Sequence, residues 1–142
     1  MSFTWHKDLP VWDEQKKRII GGAPDGIFDT RFASLKVGDP IPGMWYRVDE
    51  GDKAVGYGWV DVVWGDAEIL LATETEEQSK GAGTFILEQL DAEARNMGLN
   101  YIYNIIRPTH PQADKLKAWL EARGFAEDRD GRLLRSVGKA AK

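Results

Sequence analysis

Residues 77–84 read Glu77, Gln78, Ser79, Lys80, Gly81, Ala82, Gly83, Thr84, between an apolar run and an amphipathic one. Their types suit the binding of phosphate. Without side chains, Gly81 and Gly83 let backbone N–H groups come close to a ligand. A helix starting near Gly83 would aim its unpaired N–H groups and positive dipole end at the same point, and Lys80 adds a mobile cation. The same residues also make an ordinary strand-to-helix turn. Two other phosphate loops are excluded: a P-loop needs Lys-Ser/Thr after its last glycine, where Thr84-Phe85 stands, and a dinucleotide fingerprint needs three glycines at fixed spacing.

Other polar side chains stand out by position. Glu68 and Glu74 share one face of a regular strand, and either carboxylate is able to take a proton. Glu74, Glu76 and Glu77 read equally as a solvated acidic loop. Asn104 interrupts an apolar strand, where a buried amide needs partners; it lines a cleft or sits beside a bulge with its amide satisfied internally. His110 precedes a helix and is a candidate base or a cap. Among the six tryptophans, Trp45, Trp59 and Trp64 suggest either core packing or an aromatic cage for an ammonium group. Tyr57, Tyr101 and Tyr103 read as core residues with hydroxyls reaching the surface.

The elements that must hold these groups follow from periodicity. A short helix over residues 11–20 carries Trp12, Ile19 and Ile20 inward, and a second short helix is expected after Pro24-Asp25, with Phe28, Phe32 and Leu35 at helical spacing. Residues 44–48, 54–64 and 67–75 form an antiparallel meander with turns at Glu50-Gly51-Asp52 and Gly65-Asp66. In the middle strand Val55, Tyr57, Trp59 and Val63 fall on one face and Val60, Val62 and Trp64 on the other, with Gly56 and Gly58 leaving the second face bare. A helix over 83–97 buries Ile86, Leu87, Leu90, Ala94 and Met97 and exposes Glu88, Asp91, Glu93 and Arg95, stopping at Gly98. Residues 100–106 make a strand parallel to 67–75, which completes a βαβ unit. Pro111 opens a second helix that buries Leu116, Trp119 and Leu120 and stops at Gly124, and a hairpin turning at Asp130-Gly131 follows.

At 142 residues, 42% hydrophobic and 30% charged, the chain is expected to be one globular domain, residues 1–142. No apolar run reaches the roughly 20 residues needed to cross a bilayer, so no membrane role is expected. The absence of cysteine excludes a thiolate nucleophile and a Cys-ligated metal, and a cytoplasmic location is expected. Nineteen basic and 23 acidic residues give a net charge of −4, which disfavours nucleic acid and suits a cationic partner.

The spacing Gln78-x-x-Gly81-x-Gly83, the parallel strand after its helix, and Gly124-Phe125 closing the second helix together resemble the GNAT superfamily of N-acetyltransferases over about the last 100 residues. The resemblance implies an α+β fold with a mixed, mostly antiparallel sheet, a βαβ unit and flanking helices. It implies direct transfer of an acetyl group from acetyl-CoA, with no metal, to a primary amine on a small molecule, a protein lysine or an N-terminus. On that pattern Gln78, Ser79, Lys80, Gly81, Ala82, Gly83 and Thr84 hold the pyrophosphate. Backbone of Leu71, Ala72 and Thr73 holds the pantetheine arm, with Asn104 beside it. Glu68 is the candidate base, one residue nearer the glycine loop than the family's glutamate, an offset that turns it to the other face unless a bulge absorbs it. The family's proton-donating Tyr is matched by Leu120, which has no proton to give, and its pantetheine-contacting Asn by Ala113. These departures leave open a second reading, a catalytically silent CoA-binding regulatory module. A monomer or a homodimer is expected.

Overall fold

The computed structural model describes residues 3–21, 34–73 and 81–137. The second helix expected after Pro24, with Phe28 and Phe32, lies outside these residues, as do Glu74, Glu76, Glu77, Gln78, Ser79 and Lys80. Elements run in the order β1 (Phe3–Asp8), α1 (Glu14–Ile19), β2 (Met44–Glu50), β3 (Lys53–Val63), β4 (Asp66–Thr73), α2 (Ala82–Asn96), β5 (Tyr101–Asn104), α3 (Ala113–Glu121), β6 (Ala126–Glu127) and β7 (Leu133–Ser136). Among the described residues, seven strands form one sheet in the order β1-β2-β3-β4-β5-β7-β6. All neighbours are antiparallel except β4 and β5, which α2 connects in parallel. The α+β architecture read from the sequence is the one observed.

Two apolar clusters cover the two faces. One joins Val48, Val60, Ile69 and Ile102 to Ile86, Leu87, Leu90 and Ala94 of α2 and to Leu120 of α3. The other joins Trp45, Tyr57, Trp59 and Ala72 to Trp12, Ile19 and Ile20 around α1. The bare patch expected at Gly56 and Gly58 is covered by α2 and Trp5: a Cβ on Gly58 would stand 2.8 Å from Trp5 Cη2, 3.0 Å from Ile86 Cγ2 and 3.1 Å from Leu90 Cδ2.

Several expectations are corrected. Residues 3–8 form an edge strand that periodicity did not indicate; β1 is held by stacking of Trp5 on Tyr46 at 4.9 Å and by a 3.0 Å hydrogen bond from Trp5 Nε1 to Glu93 of α2. Val55 lies on the α2 face, opposite to its expected side, because Val48 pairs with Gly56 while Asp49 pairs with Ala54, leaving Val55 as the extra residue of a bulge. Trp64 belongs to neither face: with φ +52 beside Gly65 at φ +83 it forms the β3–β4 turn, and it is 98% exposed. The two positive φ values are those of a type I′ hairpin. Met97 is exposed at the end of α2, whereas Asp91, expected outside, is buried. Helix α3 begins at Ala113, so Pro111 precedes its cap residue Gln112 and lies outside the first turn.

Candidate functional site

Strands β4 and β5 are paired for only two residues. Ala67 faces Ile102 and Glu68 faces Tyr103, after which the strands separate. Asn104 marks the point of separation: it is 7% exposed, and its side-chain amide donates to the Ile69 carbonyl at 2.8 Å, replacing a backbone bond of the ladder. Of the two expectations for Asn104, the structure places it at the floor of the gap with its NH2 group used internally. Beyond it, Leu70, Leu71, Ala72 and Thr73 keep their pairing with β3 but have no strand partner on the β5 side among the described residues. Such an edge offers N–H and C=O groups to an extended, amide-bearing ligand.

The same edge leads to α2. Gly81 is its cap residue at φ +88, where a Cβ would meet no atom but would strain the backbone, and Gly81 O accepts from Phe85 N at 3.0 Å. The first-turn N–H groups of Ala82, Gly83 and Thr84 have no acceptor inside the helix. Ala82 is fully buried, and Gly83 leaves room for Trp119 of α3, 3.5 Å from where its Cβ would stand. Arg123 lies over the Trp119 ring at 4.0 Å and donates to Thr84 Oγ1 at 3.2 Å, so a guanidinium absent from the sequence reading borders this turn. Its signal in the sequence was adjacency: Arg123 stands immediately before Gly124, just past the end of α3.

Glu68 stands on the α1 face of the sheet, with the parity of Leu70 and Ala72. The β3–β4 register is unbroken from Asp66 to Thr73, so no bulge turns Glu68 within β4. Directly across from it is Asp61 of β3, a carboxylate that the sequence reading did not single out although the hairpin turn fixes the pairing. On its other side is Tyr103, 5% exposed, with the Arg132 guanidinium 5.0 Å from its ring. Burial, then the charge of Glu68, raises the pKa of the Tyr103 phenol; Arg132 pulls it down, and Asp61 and Asp66 push it further up.

Above this row, Ile20, Trp45, Tyr57, Trp59, Leu70, Leu71 and Ala72 line a small apolar indentation. The indole N–H groups of Trp45 and Trp59 both donate to Pro42 O at 2.9 Å. Trp45 and Tyr57 do face a cation, and it is the chain's own: the Lys16 ammonium lies 5.6 Å from the Trp45 ring and 5.2 Å from the Tyr57 ring. Lys16 is fully buried, bonded to Asp8 at 2.6 Å, Asp13 at 3.1 Å and Leu9 O at 3.2 Å. Trp64, at the far turn, has no part in this aromatic group.

His110 acts as a local cap. Its Nδ1 accepts from Gln112 N at 2.9 Å, and burial holds its pKa below the usual imidazole value. Leu120 is fully buried in the core, far in character from a proton donor, and Ala113 starts α3. Among the described residues there is no group of three or more His, Asp or Glu placed to hold a metal ion, and no helix is long and apolar enough to cross a membrane.

Comparison with known proteins places this geometry. The Acetyltransferase (GNAT) family matches residues 6–125. No curated protein matches the chain by sequence. Among solved structures, IAA acetyltransferase from Bacillus cereus is similar with a TM-score of 0.69 at 13% identity, over 96% of this chain and 100% of that one. The ribosomal-protein-S18-alanine N-acetyltransferase from Escherichia coli gives 0.63 at 17% identity, over 96% and 94%. N-acetylglutamate synthase from Neisseria gonorrhoeae, complexed with coenzyme A and L-arginine, gives 0.57 at 17% identity over 67% of this chain; the chain spans only 25% of that protein's length. At these identities the likeness is one of fold.

Proposed function

The chain belongs to the GNAT acetyltransferase family, whose members transfer acyl groups, and from that premise we propose that it moves an acetyl group from acetyl-CoA directly to a primary amine. The observation that carries this reading is the gap between β4 and β5, with an edge of β4 that has no strand partner among the described residues, and α2 following it in the chain. The pantetheine arm would bond the backbone of Leu71, Ala72 and Thr73 as an added strand, beside Asn104. The pyrophosphate would meet the N–H groups of Ala82, Gly83 and Thr84, after the turn at Gly81 and with Gln78, Ser79 and Lys80 preceding it. With the phosphates at that end, the thioester lies at the floor, next to Glu68.

An amine attacks only as the neutral form, so the ammonium must first lose a proton. We take Glu68 as the base; the unbroken register leaves it on the face opposite to that of the family's glutamate, so it would serve an amine on that face, where Asp61 across from it adds a second negative charge that favours a cationic acceptor. The acceptor is then a small amine, a protein lysine or an N-terminus, approaching from the α1 face. We take the protein to act in the cytoplasm, as one domain, as a monomer or homodimer, and without a metal.

Leu120 supports a second reading, a CoA-binding regulatory module without turnover, since the family's acid is replaced by a buried hydrocarbon. Calorimetric titration with acetyl-CoA, followed by thiol release in the presence of lysine, spermidine and an alanine-initiated peptide, separates the two. Saturable binding with thiol release on any acceptor supports the enzyme, and binding without release supports the module. Absence of binding by the folded protein would overturn both.

A further inference from the structure

The apolar indentation on the α1 face is walled by Trp45, Tyr57 and Trp59 and floored by Leu70, Leu71 and Ala72 of β4. We infer that it seats the hydrocarbon end of the acyl group, that its fixed walls restrict the donor to an acetyl thioester, and that Leu70 sets the limit on chain length. This rests on the acyl-CoA reading above and names the acyl chain that the site takes.

The floor of the recess is the part of β4 that lies beyond its last residue paired with β5. Trp59 faces Leu70 and Tyr57 faces Ala72 across the β3–β4 ladder, and the four side chains pack on one face. Leu71 has the opposite parity and packs with the α2 cluster. Its presence in the lining takes the recess down to the β4 backbone, at the stretch whose β5 side has no strand partner among the described residues. A pantetheine arm laid along residues 71–73 brings its thioester to Leu70, one residue past the floor that Asn104 makes with Ile69 O. The acyl chain then has the recess beside it.

The lining suits hydrocarbon and little else. The indole N–H groups of Trp45 and Trp59 are taken up by Pro42 O, and the Tyr57 hydroxyl donates to Gln15 Oε1 at 3.3 Å. Leu70, Leu71 and Ala72 add no polar side-chain atom. A recess of this kind forfeits contacts while it is empty, so it gains by taking an apolar group. It has room for about one group the size of water or a methyl. The same hydrogen bonds hold the aromatic walls in place, and the buried Lys16 ammonium lies against the Trp45 and Tyr57 rings at 5.6 and 5.2 Å. A methyl therefore fits, and each further methylene has to displace a pinned ring or stay outside. Leu70 is half-buried and held by packing alone, which makes it the wall that a substitution can trim.

The test is one of binding and needs no acceptor. Dissociation constants of coenzyme A, acetyl-CoA and butyryl-CoA are measured by calorimetry on the unaltered protein, on Leu70→Ala and on Ala72→Val. Coenzyme A has no acyl chain, so its affinity reports the rest of the cofactor site and the integrity of each variant. Butyryl-CoA should bind the unaltered protein about tenfold more weakly than acetyl-CoA, the scale of overpacking against a fixed wall. In Leu70→Ala, which opens one side of the recess, butyryl-CoA should come within about twofold of acetyl-CoA. Ala72→Val fills the recess from its floor and should weaken acetyl-CoA relative to coenzyme A by about fourfold, the loss of one buried methyl; this arm stands even if Leu70→Ala folds poorly. Equal affinities of acetyl-CoA and butyryl-CoA in the unaltered protein, a difference that a well-folded Leu70→Ala leaves intact, or an acetyl-CoA to coenzyme A ratio unmoved by Ala72→Val would overturn the inference while leaving the acyl-CoA reading standing. Failure of coenzyme A and acetyl-CoA to bind the unaltered protein would overturn both.

Discussion

Asp91 of α2 and Arg135 of β7 form an ion pair at 2.7 Å, with side chains only 7% and 11% exposed. Asp91→Ala removes the carboxylate and leaves the guanidinium in place. Arg135 Nε already lacks a partner, and Nη2 would lose its own; what remains is the 2.9 Å bond from Nη1 to Arg123 O and the Phe125 ring at 5.1 Å. Breaking a buried pair from one side costs about 3–5 kcal/mol, and the surviving contacts put this case near the lower end, about 3 kcal/mol. The second partner of Asp91, Arg95 at 3.2 Å, is 57% exposed and adds less than about 1 kcal/mol. With a urea slope of about 2 kcal/mol/M, the unfolding midpoint should fall by about 1.5 M. Asp91→Leu combined with Arg135→Met removes both charges and should cost within about 1 kcal/mol, because neither is left buried alone. Urea unfolding followed by tryptophan fluorescence measures all these variants. A loss below about 1 kcal/mol in Asp91→Ala, or a double variant as unstable as the sum of the singles, would refute the reasoning.

Three further outcomes are expected. Gly58→Ala should lose about 1–3 kcal/mol in urea unfolding, since its Cβ would come within 2.8–3.1 Å of Trp5, Ile86 and Leu90 and force at least one of them to shift; an unchanged midpoint would show that α2 shifts freely. Trp64→Asn should stabilise by about 0.5–1 kcal/mol, because the indole is 98% exposed and Asn-Gly suits positive φ at both turn positions, which the urea midpoint checks directly. His110 has a folded pKa below its unfolded value, so its contribution to stability is present above the unfolded value near 6.5 and is lost as pH falls through the folded one. An NMR titration of the His110 ring should give a midpoint below that of a free imidazole, with the Gln112 N–H bond lost on protonation.

What the sequence disclosed and what it hid divide by range. The hairpins were legible because Gly51 and Gly65 take positive φ, a requirement written in the residue itself. Helix α2 was legible because Ile86, Leu87, Leu90 and Ala94 repeat at the helical period. Asp91 looked solvent-facing because its partner Arg135 is 44 residues away, beyond any local pattern. Residues 3–8 were illegible as a strand for the same reason: Trp5 is fixed by Tyr46 and by Glu93, 88 positions along the chain. Val55 was assigned to the wrong face because alternation assumes an unbroken ladder, and the bulge opposite Asp49 breaks it. In the site, the glycines of the loop and Asn104 stood out as residue types that pay a local penalty, whereas Tyr103 and Asp61 became visible only through cross-strand register.

The position of β7 between β5 and β6 sets the time at which the gap can exist during synthesis. Strand β4 and helix α2 are made early, but β5 touches β4 through only two paired residues, and its long antiparallel support comes from Leu133–Ser136. A nascent chain that has passed residue 104 therefore carries one wall of the gap firmly and the other weakly. The second wall becomes firm only when β7 leaves the ribosome and slides in beside it. A ligand that needs both walls of the gap is thus expected to bind only once Leu133–Ser136 is in place beside β5.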